Sequence, residues 1–207
     1  MQPIIRTLEG INRLNKALFL EINATPATHP WCIDIGLFIA VYAIYLIPVL
    51  LVAMWLWGDA KTRNAAAKAF FVAMGGLAVS YLIGFIWFEP RPFVLKIGHT
   101  YLMHAPDSSF PSDHVTIFSA ICLTLLTSGI ARLCLATLLV GIGVSWARIF
   151  VGVHYPVDMI GSLAVAGCSL VVVTPIWKKA GGAIVQFGEK IYRRILFPFI
   201  SFGRCRP

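Results

Sequence analysis

Ser108-Ser109-Phe110-Pro111-Ser112-Asp113-His114 runs directly into Val115-Thr116-Ile117-Phe118-Ser119-Ala120-Ile121 and on to Ile130, so a polar loop stops at a proline and an apolar run begins. Ser112 is a good N-cap residue, and the free N–H groups of a helix starting there, with the positive end of its dipole, favour an anion above Ser112 and His114. Four more apolar runs surround this one: Ile35 to Trp57, Ala69 to Phe88, Leu133 to Ala147 and Met159 to Trp177. Each is near the roughly 20 residues that a spanning helix needs, the shorter two extending through His114 and to about Val153. With 58% hydrophobic residues, 13% charged residues and a mean hydropathy of +0.81, the composition excludes an ordinary soluble domain. The expected fold is all-α, a polytopic membrane bundle of five transmembrane helices plus an N-terminal amphipathic helix.

The net charge of +8 does not indicate a nucleic-acid partner, because the basic residues neither line one helix face nor alternate with aromatics in a soluble segment. Topology accounts for them. Lys61, Arg63 and Lys68 lie between the first two runs, Arg132 between the third and fourth, and Lys178, Lys179, Lys190, Arg193, Arg194, Arg204 and Arg206 after the fifth. The positive-inside rule makes these segments cytoplasmic, so the loops with Arg91, His114, Arg148 and His154 face the other side. Residues 1–177 are expected to form one membrane domain, with 1–30 as amphipathic helix and turn and 31–177 as the catalytic bundle. Residues 178–207 form a basic tail on the anionic inner leaflet. Cys32, Cys122, Cys134, Cys168 and Cys205 make no CxxC pair, and three lie in or beside apolar runs, so they are expected to pack as small hydrophobes.

Ile4, Leu8, Ile11, Leu14, Leu18 and Ile22 recur at helical spacing, with Arg6, Glu9, Asn12, Arg13 and Lys16 on the other face. Such a helix lies flat on the outer membrane surface, either guiding a lipid sideways or packing as a lid on the bundle. Gly58 to Asn64 reads as an inner turn, and Gly75-Gly76 as a place where a neighbouring helix comes close. The longest polar connection, Glu89 to Asp113, carries Arg91, Lys96, His99, His104 and Asp107.

Phosphoryl transfer needs a nucleophile, a proton donor for the leaving oxygen, and positive charge around the phosphate oxygens. His154 suits the first role: one imidazole nitrogen attacks phosphorus while a carboxylate, Asp158, holds the proton on the other. Pro156 fits a helix's first turn, which presents Asp158 toward His154. His114 is the candidate general acid and later the base for water, which implies a bell-shaped pH profile. Arg91 and Arg148 offer planar forks that bind phosphate oxygens bidentately, and Ser112 adds a neutral donor. A metal held by His114, His154 and Asp158 is the weaker reading, since the arginines repel a cation and already supply its charge. No cofactor is expected.

Arg91-Pro92, then Pro111-Ser112-Asp113-His114, then Arg148 with His154 and Asp158 resemble the three-part signature of the type 2 phosphatidic acid phosphatase superfamily. That resemblance implies a metal-free phosphatase with a phosphohistidine intermediate. In it His154 is the nucleophile, Asp158 its partner, His114 acid and base, and Arg91, Arg148 and Ser112 phosphate ligands. Arg-Pro-Phe-Val at 91–94, Asp-Ser-Ser-Phe-Pro-Ser-Asp-His at 107–114, Val-Gly-Val-His-Tyr-Pro-Val-Asp at 151–158 and Ile-Asn-Ala-Thr-Pro at 22–26 are further similar to bacterial undecaprenyl pyrophosphate phosphatases of the bacitracin-resistance type. This implies a multi-pass enzyme of the bacterial inner membrane, facing the periplasm, that recycles a polyprenyl pyrophosphate carrier for cell-wall synthesis. Gly84 stands where the broad pattern has lysine, for which Lys96 is the candidate replacement, and Asp113 where it has glycine. Pro111 and Asp113 complete the expected substrate-binding set. Competing readings are phosphate transfer to lipid A, hydrolysis of phosphatidic acid or phosphatidylglycerophosphate, and a non-catalytic lipid transporter.

Overall fold

The structure is a computed structural model that describes residues 2–201, with side chains described for residues 9–194. Ile4, Arg6, Leu8, Arg204, Cys205 and Arg206, named above, have side chains outside the described residues. Among the described residues seven α-helices follow one another: α1 (Gln2–Ile22), α2 (Pro30–Tyr42), α3 (Leu46–Trp57), α4 (Ala60–Ile86), α5 (Asp113–Thr127), α6 (Ala131–Phe150) and α7 (Pro156–Ser201). Four helical stretches among them are long and apolar enough to cross a membrane: Pro30–Trp57, Ala60–Ile86, Ala131–Phe150 and Pro156–Arg194. A multi-pass helical membrane protein follows. Helix α5 has 15 residues, about 22 Å at ~1.5 Å per residue, and packs against α4, α6 and α7 at the bundle's centre.

Helix boundaries follow local chemistry. Between α2 and α3 the chain makes one 3₁₀ turn, Ala43–Tyr45, just before Pro48. Proline has no N–H to give to the Ile44 carbonyl, so the α-helical ladder breaks at that point. Helix α4 starts earlier than the apolar run suggested, because the Asp59 carboxylate accepts the Thr62 N–H at 2.8 Å and caps it. The turn is therefore Gly58-Asp59, not Gly58 to Asn64, and Lys61, Arg63 and Lys68 ride on the helix. Helix α7 passes Trp177 without a break and reaches Ser201.

Small residues form the seams. Ala65, Ala66, Ala69, Ala73, Gly76 and Ser80 are buried on α4. A Cβ on Gly76 would sit 2.9 Å from Thr116 Cγ2 of α5, and one on Gly75 2.7 Å from Ser169 Oγ of α7, so both glycines permit close helix approach. The core joins α3, α4, α5, α6 and α7 through residues such as Met54, Val72, Phe118, Ile121, Val144 and Ala166. Cys122 and Cys134 are buried thiols with Sγ atoms 3.5 Å apart, packed between α5 and α6.

The last turns of α1 dock on the bundle end that carries the polar loops. Phe19 is fully buried edge-on to Tyr155, Asn15 Oδ1 accepts the Val157 N–H, and Asn23 bonds His99 and the Phe150 carbonyl. Ile11, Leu14 and Leu18 stay exposed on the other side of the helix. Alternating helix directions bring the α4 C-terminus, the α5 N-terminus, the α6 C-terminus and the α7 N-terminus to this same end.

Candidate active site

The Arg148 to Asp158 segment is shaped almost entirely by local rules. Helix α6 ends in a Schellman turn: Gly152 has φ +87°, its N–H bonds the Ile149 carbonyl at 3.0 Å, and the Val153 N–H bonds the Arg148 carbonyl at 3.2 Å. A glycine is needed at that φ, and the reversal returns the chain so that His154 stands beside Arg148. Helix α7 then opens with Pro156, and the Asp158 carboxylate reaches back to the Tyr155 N–H at 2.8 Å, half of a capping box. The same oxygen, Oδ2, lies 3.1 Å from His154 Nδ1.

Arg91 arrives from a distant loop. Residues 89–90 pair with 108–109 through a bridge between Pro90 and Ser108 and a bond from the Ser109 N–H to the Glu89 carbonyl at 2.7 Å. This clasp places Arg91 and the α5 start side by side. Arg91 Nε donates to Asp107 Oδ1 at 2.8 Å, and its Nη1 donates to the Val153 carbonyl at 2.9 Å while standing 3.1 Å from His154 Nε2. Arg148 Nη2 stands 3.4 Å from the same Nε2. The imidazole is thus held between a carboxylate on Nδ1 and two guanidinium groups on Nε2. A proton on Nδ1 and a lone pair on Nε2 satisfy all of these neighbours.

Three buried donors in these segments have unused capacity. Among the described residues, Ser112 Oγ, Arg148 Nε and Tyr155 Oη are buried without a hydrogen-bond partner. Ser112 holds the N-cap position as expected, yet its hydroxyl does not cap the helix. Orphaned buried donors are costly unless a ligand uses them. His114 is half-buried, makes no side-chain hydrogen bond among the described residues, and lies in the electrostatic field of Arg148, His104 and Arg91. Pro111 and Asp113 line a cleft of about 340 Å³ with Arg91, Asp107, Gly84, Tyr81, Phe85 and Phe88. Lys96 is exposed on a left-handed turn with φ 56°, and among the described residues no side-chain hydrogen bond or ion pair joins it to the site's groups.

Burial, with Arg148 and Arg91 adjacent and His104 and His114 farther off, holds the His154 imidazole well below the usual histidine range. The unprotonated imidazole, the form able to attack phosphorus, therefore persists until well below the ordinary value. The acid limb of kcat/KM assigned to His154 is therefore expected clearly below about pH 6.5, and a limb at or above that value would contradict the geometry.

The PAP2 superfamily model matches residues 65–181, the span that holds all of these groups. The chain belongs to the PAP2 superfamily. Among PAP2 relatives it is 37% identical to YbjG of Escherichia coli (strain K12) over 88% of this chain and 92% of that one. It is 38% identical to the undecaprenyl-diphosphatase BcrC of Bacillus subtilis (strain 168), over 74% of this chain and 79% of that one. In fold it resembles Aquifex aeolicus LpxE, with a TM-score of 0.60 at 19% identity over 78% of this chain and 95% of that one. The PAP2-type phosphatidylglycerolphosphate phosphatase of Bacillus subtilis gives 0.61 at 17% identity over 82% and 87%.

Two side chains in this PAP2 site had no role assigned from sequence. Ser109 Oγ donates to Asp158 Oδ2 and lies 3.4 Å from His154 Nδ1, and Asp107 orients Arg91. Both sit in the quoted loop, but serine and aspartate are ordinary loop residues, and nothing in their spacing names a partner. His104 comes near His154, with ring centroids 6.5 Å apart. His99 is engaged with Asn23 through its backbone.

Proposed function

We propose that this chain hydrolyses undecaprenyl pyrophosphate to the monophosphate and phosphate through a phosphohistidine on His154. The observation that carries this is the opposed grip on one imidazole, with Asp158 at Nδ1 and Arg91 and Arg148 at Nε2. The arginines, Ser112 and the first N–H groups of α5 bind the terminal phosphate. His154 Nε2 attacks its phosphorus, the bond to the bridging oxygen breaks, and His114 gives that oxygen a proton. The negative charge of the bound phosphate favours a protonated His114. In the second step His114 takes a proton from water, the water oxygen displaces Nε2, and phosphate leaves.

The lipid is accommodated sideways. The cleft beside Arg91 and Asp113 runs to Tyr81, Phe85 and Phe88 near the end of α4, all of them exposed, which suits a polyprenyl chain emerging into the bilayer. The relatives named for undecaprenyl diphosphate support this choice of substrate. The basic ends at the opposite pole support a site facing the periplasm in the bacterial inner membrane, with the continuation of α7 beyond residue 177 on the cytoplasmic side.

Phosphate release from undecaprenyl pyrophosphate by the purified chain in detergent tests the reading. Release is expected to persist in excess chelator, because two fixed guanidinium groups supply the charge that a metal would bring. Loss of release on adding chelator, restored by a divalent cation, would refute the metal-free site. Preferential release from phosphatidic acid would refute the substrate.

A further inference from the structure

We infer that Ser109 is a positioning residue for the nucleophile, selecting the reactive tautomer of His154 through Asp158. The inference rests on the phosphohistidine reading above. Ser109 is fully buried, and its hydroxyl donates to Asp158 Oδ2. Three groups converge on that one oxygen: the Ser109 hydroxyl, the Tyr155 N–H at 2.8 Å, and His154 Nδ1 at 3.1 Å. Asp158 itself is only 2% exposed. A carboxylate so buried keeps its charge only where donors satisfy it.

The hydroxyl also constrains the imidazole directly. Its one proton is committed to Asp158, so it presents only lone pairs to Nδ1, 3.4 Å away. Nδ1 must then carry the proton, and Nε2 keeps its lone pair toward the arginines and the phosphorus. The opposite tautomer would set the Nδ1 lone pair against lone pairs of both Ser109 and Asp158. The Tyr155 N–H belongs to the α7 start and survives any side-chain change, so among the described residues Ser109 is the one removable side-chain donor to Asp158 besides His154 itself. Its position is set by the same clasp that delivers Arg91, because the Ser109 N–H bonds the Glu89 carbonyl. The pairing at 89–90 and 108–109 therefore installs a phosphate ligand and an orienter of the nucleophile together.

The test is a double-mutant cycle on the full chain, with undecaprenyl pyrophosphate as substrate and melting temperature in detergent as the folding control. Ser109→Ala is expected to lower kcat about 10–100-fold, the usual cost of an outer orienting partner, with KM within about two-fold of wild type. Ser109→Thr keeps the hydroxyl and is expected to restore most of kcat. In an Asp158→Asn background, adding Ser109→Ala is expected to change kcat by less than about two-fold, because the group it acts through has lost its charge. An equal loss in both backgrounds would overturn the inference, as would wild-type kcat in Ser109→Ala, or a Ser109→Thr that melts normally yet is as slow as Ser109→Ala. An inactive wild type would instead strike the proposed function, and the two failures are distinct.

Discussion

His154→Ala is expected to reduce phosphate release by about four orders of magnitude or more while leaving substrate binding within a few fold, as loss of a nucleophile does elsewhere. The reason lies in the division of labour around the ring. Arg91 and Arg148 approach Nε2 at 3.1 and 3.4 Å but are held by other groups, Arg91 by Asp107 and the Val153 carbonyl and Arg148 by the Ala40 carbonyl at 3.4 Å. Removing the imidazole leaves this cationic cradle in place, so the lipid still binds. Asp158 loses one partner but keeps the Ser109 hydroxyl and the Tyr155 N–H, so the buried carboxylate is not stranded. Steady-state turnover and direct binding of radiolabelled undecaprenyl pyrophosphate check both halves. A variant retaining a tenth of wild-type turnover would end the case for His154 as nucleophile.

The second large effect is expected at Arg91. Arg91→Lys preserves the charge, yet about 10²–10³-fold of kcat/KM should be lost, the scale seen when a preorganised transition-state donor is removed. The guanidinium acts at two places at once: Nε is fixed on Asp107 at 2.8 Å, while Nη1 bonds the Val153 carbonyl and faces Nε2. A lysine has a single nitrogen on a flexible stem and cannot anchor on Asp107 while also presenting a fork to phosphate. Because Arg91 is buried, the shorter polar head also leaves the Val153 carbonyl without its donor. Both kcat and KM should suffer, unlike the pure kcat loss at His154. Kinetics of Arg91→Lys beside those of Arg91→Gln separate charge from geometry, and equal activity of Arg91→Lys and wild type would show that the fork does not matter.

The protein divides cleanly by the range of its interactions. What lies within one helix turn or one reversal was legible from residues alone. Pro156 at a helix start presents Asp158 to His154, as the residues indicate, and the Schellman turn at Gly152, equally local but visible only in the structure, brings Arg148 beside them. The apolar runs likewise announced a helical membrane bundle, and Ser112 announced the start of α5. The start of α4 at Ala60 and the passage of α7 through Trp177 were hidden by hydropathy, which marks apolar stretches and not the polar turns that extend a helix.

What only the tertiary structure decided spans the long separations. The Ser109 bond to Asp158 crosses 49 positions, the Arg91 bond to Val153 crosses 62, and the Asn23 clamp on the α6 end crosses 127. Such pairings need the clasp between 89–90 and 108–109 and the packing of α4, α5, α6 and α7 before the side chains can meet. Lys96 is a further case: its charge suggests a phosphate ligand, and the structure shows it exposed on a left-handed turn of the same loop. The meeting of His154 with Asp158 is local and was legible in the sequence, whereas the groups around them depend on helix packing, which brings distant loops to one end of the bundle.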